Sequence, residues 1–217
     1  MKVKTLIIII TLYVLSACKD KISEPCPNEF VVFGEVNPYS DTYKVGDTIS
    51  LTATFSKYIF EKKTKKYFNL KDLNIEAEFY IFKIDTINDG TNFGVFEYVN
   101  LISSNKYQEY VQNFSEGGQM YFSNIIFKND TFYHELKFIP KIKGLFVLTY
   151  GPFTLDNSMN FEGKCNNWVF NLNTRLNNGE NNNIYLLKQS PDEHFNTWIL
   201  QNPEQRFYPG RYAYKVE

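Results

Sequence analysis

The sequence predicts a mainly β protein, specifically an antiparallel β-sandwich with one or two short helices. Aromatic residues make up 18% of the chain, and they favour the half-buried surfaces of pleated sheets. Alanine, the strongest helix former, is scarce. Short runs in which apolar and polar residues alternate recur between turn residues along most of the chain.

The clearest predicted strand covers residues 48–56. The apolar residues at positions 49, 51, 53 and 55 alternate with serine and threonine, which predicts a strand buried on one face. Gly46-Asp47 supplies the preceding turn. A Gly-Asp turn followed by such an alternation resembles the early strands of immunoglobulin-like and fibronectin type III-like domains. The resemblance implies a sandwich that is immunoglobulin-like in the broad sense.

Further strands are predicted from the same kinds of pattern. The polar turn at residues 128–130 suits a hairpin between two of them, and Gly151-Pro152 is expected to end another. The remaining predicted strands are residues 30–36, 75–84, 93–102, 120–127, 131–139, 144–150, 168–176, 184–187 and 208–216.

Two segments favour helix instead. In the first, at residues 191–201, Ser190 is placed to cap the helix, Pro191 occupies its first position, and Glu193 completes a capping box. In the second, at residues 105–118, the apolar residues at 107, 110, 111 and 114 are spaced for one helical face before a pair of glycines.

The N-terminus predicts a signal peptide over residues 1–17. Two lysines precede an apolar run that is too short for a membrane span and suits a signal core. Leu15-Ser16-Ala17-Cys18 resembles the lipobox of bacterial lipoproteins, which implies lipidation of Cys18 and cleavage before it. An ordinary secreted protein or an uncleaved anchor helix are the alternatives. The charged residues after Cys18 are similar to Bacteroidota export signals, which implies an outer-membrane lipoprotein facing the periplasm or the cell surface.

Under this interpretation residues 18–27 are the lipidated cysteine and a tether, and residues 28–217 form one large sandwich or two small ones. Lipidation of Cys18 leaves an even pair of cysteines in an oxidising compartment, so we expect a disulfide between Cys26 and Cys165. Two buried free thiols are the alternative.

The charge balance predicts no nucleic-acid partner. The formal net charge is −1, which gives no electrostatic reason for binding nucleic acid. The basic cluster at residues 62–66 is flanked by aromatic residues at 58, 60, 67 and 68. A solvated hairpin loop is the preferred interpretation, and contact with anionic sugars or lipid head groups fits the cluster better than nucleic acid does. The expected partners are the membrane, through the lipid anchor, and a glycan or an envelope protein.

None of the familiar catalytic motifs that we considered occurs in the sequence, which does not by itself exclude an enzyme. His134 and His194 stand far apart, and no metalloprotease, nucleophile-elbow or phosphate-loop motif occurs. We therefore expect no cofactor, no metal and no catalytic residue, and the preferred function is a non-enzymatic binding or accessory module. The alternative is a carbohydrate-active hydrolase using two carboxylates, which linear spacing cannot reveal.

Residues 85–90 partly match the pattern of a calcium-binding loop. Ile87 occupies a position that needs an oxygen ligand, so a turn is predicted instead. Asp47-Thr48-Ile49 and Asp85-Thr86-Ile87 resemble O-glycosylation acceptor sites of Bacteroidota. That resemblance implies Thr48 and Thr86 as modified residues.

Overall fold

The computed structural model describes residues 25–87, 93–102, 108–115, 117–154, 158–161 and 165–217. Within these ranges the chain forms sixteen strands in three sheets. The first sheet contains β1 (Glu29–Asn37), β3 (Ile49–Ser56), β4 (Tyr58–Glu61), β5 (Lys66–Asn69), β7 (Val99–Ile102), β10 (Ile126–Lys128), β11 (Thr131–Pro140) and β15 (Asn171–Leu176). The second contains β2 (Thr42–Tyr43), β6 (Ile75–Lys83), β8 (Glu109–Asn113), β9 (Gln119–Asn124), β12 (Gly144–Thr154) and β16 (Arg211–Val216). The small third sheet pairs β13 (Ser158–Phe161) with β14 (Cys165–Val169).

The strand order of the first sheet is β10-β11-β3-β1-β4-β5, with β15 also beside β1 and β7 also beside β11. The second sheet has the order β2-β16-β12-β6-β9-β8. Pairing is antiparallel except between β1 and β15 and between β2 and β16, which run parallel. The predicted mainly β architecture is therefore confirmed, with two parallel pairs added to the antiparallel arrangement.

The main hydrophobic core lies between the two large sheets. Phe138 of the first sheet meets Phe79 of the second with ring centroids 5.3 Å apart, and it also approaches Tyr214 at 6.3 Å. Each fully buried large side chain contributes about 1.5–3 kcal/mol to folding. The core is rich in aromatic residues because the inward positions of alternating strands collect the phenylalanines and tyrosines of the sequence.

A second apolar cluster covers the outer face of the second sheet. Short helices at Ile184–Gln189 and His194–Ile199 supply leucine, phenylalanine and isoleucine side chains that pack on Phe82, Val147 and Ala213. The outward residues of this sheet are apolar here because the helices bury them. Among the described residues, no helix has the length and apolar character needed to cross a bilayer.

The predicted C-terminal helix is present with a different start. Helical residues run from 193 to 201, and Asp192 Oδ1 accepts a hydrogen bond from the N–H of His194 at 2.9 Å. The Ser190 hydroxyl binds before the helix begins, since it accepts a hydrogen bond from the N–H of Asp192 at 3.1 Å. The helix ends at Gln201, and a further short helix, Pro203–Arg206, begins after Asn202.

The helix predicted at residues 105–118 is wrong where the structure describes this segment. Residues 109–113 form strand β8, which pairs with β9 through a turn containing Gly117 at φ +95°. Tyr110 stacks on Phe122 of the partner strand at 4.9 Å. Cross-strand packing thus outweighs the helical spacing of the apolar residues.

Three smaller predictions also need correction. Residues 184–189 form a 3-10 helix that covers the second sheet, not a strand. Strand β12 continues through Gly151-Pro152 to Thr154, because β6 pairs with it over that whole length. Only Val99–Ile102 of the strand predicted at residues 93–102 is extended, since a turn closed by the Val99 N–H and the Val95 carbonyl precedes it.

Candidate ligand-binding groove

A groove of about 1060 Å³ opens on the outer face of the first sheet. Strands β1, β3 and β4 form its walls, and β15 contributes at one end. It is lined by Asn28, Glu29, Val31, Val32, Phe33, Thr54, Phe55, Ser56, Tyr58, Ile59, Phe60, Glu61, Lys62, Lys63 and Arg175. Its volume is sufficient for an oligomeric ligand of small units.

The groove forms where the first sheet divides. Strand β1 pairs with β3 from Gly34 to Asn37, and with β4 only at Phe30. Strands β3 and β4 are separated by the single residue Lys57, so the chain bends away from β1 between these two pairing regions. The bend leaves a depression beside Val31–Phe33.

Four exposed aromatic side chains lie on this face, and we refer to Phe33, Tyr58, Phe60 and Tyr67 as the aromatic platform. Their exposed fractions are 52%, 51%, 46% and 68%, respectively. The rings of Phe60 and Tyr67, which are directly paired across β4 and β5, lie 5.3 Å apart. Continuing the register set by Phe30 and Glu61 places Phe33 level with Tyr58. The platform therefore spans three strands.

The fold does not need aromatic residues at these positions. The neighbouring residues Val32, Ile59 and Phe68 point inward and are buried, so they fill the core beneath the platform. Outward positions of an exposed sheet face are normally polar. A contiguous exposed apolar patch on a folded protein marks an interaction site, and the platform meets that description.

The turn at the end of the β4–β5 hairpin carries lysines. Lys62 and Lys63 are exposed and line the groove, and among the described residues neither ammonium group has an ion pair. Glu61 shapes the turn, because its Oε2 accepts a hydrogen bond from the N–H of Thr64 at 2.6 Å. Burial opposes ionisation of Glu61, but hydrogen bonds from Thr64 and from the backbone of Lys63 hold its pKa below the ordinary value.

The acids of the groove are already engaged. Glu61 is buried and points away from the open side. Glu29 accepts a hydrogen bond from Asn173 Nδ2 at 2.9 Å. At the other end of the groove Arg175 lies 3.5 Å from Glu204. Each carboxylate that lines the groove therefore has a hydrogen-bond partner of its own.

Glu78 is the strongest candidate acid elsewhere. Burial raises the pKa of Glu78, and the positive charge of Arg211 opposes the shift. Glu78 lines a cavity of about 210 Å³, and among the described residues that line this cavity it is the only carboxylate. Glu76 lies two positions earlier on the same face of β6, where it accepts a hydrogen bond from the Tyr110 hydroxyl at 2.7 Å. The two carboxylates lie side by side on one strand and do not oppose each other across a cleft.

The two histidines occupy structural positions. His134 is buried between the sheets, where its Nε2 lies 2.7 Å from Ser123 Oγ and its Nδ1 lies 2.7 Å from the Tyr150 hydroxyl. Burial lowers the pKa of His134 to about 4, against a weak opposing effect of Glu135. His194 contacts the ring of Trp198 at 4.8 Å. No cluster of three His, Cys, Asp or Glu side chains suited to a metal ion occurs among the described residues.

The remaining predicted residues are distributed over the molecule. Cys26 and Cys165 form a disulfide with a Cα–Cα distance of 5.9 Å. Cys18, the signal peptide and the first part of the tether lie outside the described residues. Thr48 and Thr86 are exposed, neither lines the groove, and their glycosylation stays a prediction. In the segment with the calcium-loop pattern, Asp85 pairs with Lys83 at 2.8 Å, and residues 88–90 lie outside the described part.

The sequence identified only part of the groove. The lysine turn and its flanking aromatic residues were singled out, and the predicted hairpin loop is confirmed. Phe33 and Arg175 were missed. They become neighbours through the parallel pairing of β1 with β15, and no local pattern signals that pairing.

Comparison with known proteins gives only distant likenesses. No family model matches the chain, and no curated protein matches it significantly. A type II cohesin dyad from the adaptor ScaA scaffoldin of Acetivibrio cellulolyticus is similar at 8% identity and a TM-score of 0.31, over 67% of this chain and 46% of that chain. This chain thus matches less than half of the length of the dyad.

Single cohesin domains give similar values. A type II cohesin domain from the cellulosome of Acetivibrio cellulolyticus matches at 10% identity and a TM-score of 0.27, over 59% of this chain and 80% of that chain. Type II cohesin A11 from Bacteroides cellulosolvens matches at 13% identity and a TM-score of 0.26, over 59% of this chain and 82% of that chain. We draw nothing about function from likenesses this weak.

Proposed function

We propose that this protein is a non-enzymatic binding module of the cell envelope and that its ligand, a glycan, binds in the groove across the aromatic platform. The observation that carries the proposal is the aromatic platform, of which Phe33, Tyr58 and Phe60 line a groove of about 1060 Å³ and Tyr67 packs beside Phe60. An envelope protein is the second candidate ligand, because exposed aromatic residues also anchor protein interfaces.

A glycan suits this surface for two reasons. The apolar faces of sugar rings pack against flat aromatic rings, and Phe33, Tyr58 and Tyr67 present such rings to solvent. Hydrogen-bonding side chains surround the rings and can meet sugar hydroxyls, which supplies orientation. These polar residues are Asn28, Thr54, Ser56, Lys62, Lys63 and Arg175.

The aromatic platform gives the first testable prediction. The double variant Phe33→Ala/Tyr58→Ala loses at least about tenfold in affinity for any glycan that a glycan array identifies with the wild-type protein, because two stacking surfaces are removed. Isothermal titration calorimetry measures the loss.

Phe96→Ala is the matched control, since Phe96 is 43% exposed and lies outside the groove. Unchanged affinity in the double variant would exclude the platform as the site. Cleavage of a polysaccharide by the wild type that disappears in Glu78→Gln would instead support the hydrolase alternative.

Our proposal includes a lipid anchor on Cys18, supported by the lipobox-like tetrapeptide that precedes the tether. At full extension the chain from Cys18 to Cys26 reaches about 27 Å. Cys26, the disulfide-bonded residue near the end of this proposed tether, precedes β1 by three residues, and Asn28 lines the groove. The anchored protein would thus hold its groove close to the outer membrane, on the periplasmic or the surface side.

The anchor is tested by Cys18→Ala. We expect the wild type to partition into the detergent phase and the membrane fraction, and the variant to leave both, because the acyl chains supply the membrane affinity. Lys188→Gln, which changes an exposed side chain of the folded domain, is the control and should partition as the wild type does. Equal partitioning of the wild type and Cys18→Ala would refute the anchor.

A further inference from the structure

The positive charges at one end of the groove come from the β4–β5 turn. Lys62 and Lys63 both line the groove from this turn, and their ammonium groups are unpaired among the described residues. The neighbouring Lys57, by contrast, is bound to Asp130 at 2.8 Å, and Arg175 at the far end is close to Glu204. The two free cations therefore lie directly beside the aromatic platform.

Neither acid that lines the groove forms an ion pair with these lysines among the described residues. Glu61, the nearest acid in the chain, is buried and directs its carboxylate to the N–H of Thr64. Glu29 is engaged with Asn173. The exposed ammonium groups are hydrated when the groove is empty, and a ligand with carboxylates can form charge-assisted hydrogen bonds with them that a neutral ligand cannot form.

We propose that the ligand of the groove is an anionic polysaccharide whose sugars carry carboxylate groups, an inference that rests on the proposed function. The sugar rings stack on Phe33, Tyr58, Phe60 and Tyr67, and the carboxylates of the chain accept hydrogen bonds from Lys62 and Lys63. Adjacent strands are about 4.8 Å apart, close to the length of one sugar unit, so successive rings of an extended chain can meet platform residues on successive strands.

The small number of lysines in the groove favours an anionic polymer with few charges per sugar. Two free lysines at one end of the groove match a chain with one charge per sugar, and they are too few for a heavily sulfated chain. Nucleic acid would need cations along the whole path of its phosphates, and the formal net charge of the protein is −1. A polyuronate has sugar rings that can stack on the aromatic platform, and it has one carboxylate per sugar that can bind the two lysines.

The test compares two probes with the same sugar chain, one with carboxylates and one in which methyl esters remove the charge. Isothermal titration of the mature full chain in detergent uses oligogalacturonate and the same oligomer fully methyl-esterified. We expect the acid form to bind about tenfold more tightly than the ester, and this difference to shrink as salt is raised. The double variant Lys62→Gln/Lys63→Gln should bind both forms equally.

Lys44→Gln/Lys188→Gln is the matched control, since both lysines are exposed and lie outside the groove. Equal binding of acid and ester by the wild type, or no binding of either, would overturn the inference. So would equally tight binding of polyglutamate or single-stranded DNA. If a neutral glycan binds and Phe33→Ala/Tyr58→Ala abolishes that binding, the proposed function stands while the inference fails. If oligogalacturonate binds and the platform variant binds it unchanged, the proposed function itself fails.

Discussion

Replacing both Cys26 and Cys165 by alanine should lower the free energy of unfolding by about 4 to 5 kcal/mol in the chain-entropy account. The bridge joins residues 139 positions apart, so its loss frees a very long loop in the unfolded chain. A typical domain has only about 5–15 kcal/mol of net stability. A loss of about 4 to 5 kcal/mol would therefore remove a large part of the stability of a typical domain.

Urea unfolding at pH 7, followed by tryptophan fluorescence, measures this effect as a lower midpoint, with a steeper slope because the unfolded chain without the bridge exposes more surface. The wild type treated with a reductant serves as the control, because it loses the same bond without a change in sequence. An unfolding midpoint in the double variant equal to that of the oxidised wild type would contradict the prediction.

Acidification should destabilise the protein through His134. Burial lowers the pKa of His134 to about 4 from its ordinary 6.5, so the unfolded chain binds a proton between these values that the folded protein does not. The stabilising contribution is complete above pH 6.5 and is lost as the pH falls towards 4. The total loss is about 3 kcal/mol, since one pKa unit corresponds to about 1.4 kcal/mol.

The variant His134→Gln isolates this contribution from carboxyl groups that titrate nearby. Glutamine keeps hydrogen-bonding capacity towards Ser123 and Tyr150 but carries no titratable group. Unfolding free energies measured from pH 7 to pH 4 should fall less steeply in the variant, by up to about 1.4 kcal/mol per pH unit between pH 4.5 and 6. Parallel curves for the wild type and the variant would contradict the assigned role.

The parts of the fold that sequence predicts best are those whose pattern is local. Strand β3 follows from strict alternation over residues 48–56, because period two has one structural meaning when one face is apolar and the other hydroxylated. The segment 109–113 is misleading, since its apolar residues also fit a helical face. Its strand state depends on β9, and pairing with β9 cannot be deduced from the segment itself.

The candidate site also combines residues that local patterns reveal with residues that only long-range pairing brings in. The sequence places Tyr58, Phe60, Tyr67 and Phe68 together around a lysine turn, but it does not reveal that Phe68 points into the core while the others face solvent. That distinction depends on how the hairpin packs against β1. Phe33 and Arg175 join the site only through long-range parallel pairing, which has no signature in either segment.

The central claim, that ligand binds on the outer face of the first sheet, is tested most directly by an amide NMR titration of the isotopically labelled mature chain with oligogalacturonate. We predict that the perturbed backbone signals cluster at Val31–Phe33, at Tyr58–Glu61 and at Lys62 and Lys63, while those of the helix His194–Ile199 stay unchanged. Perturbations confined to the helical face or to the cavity beside Glu78, with the groove signals unmoved, would contradict the account.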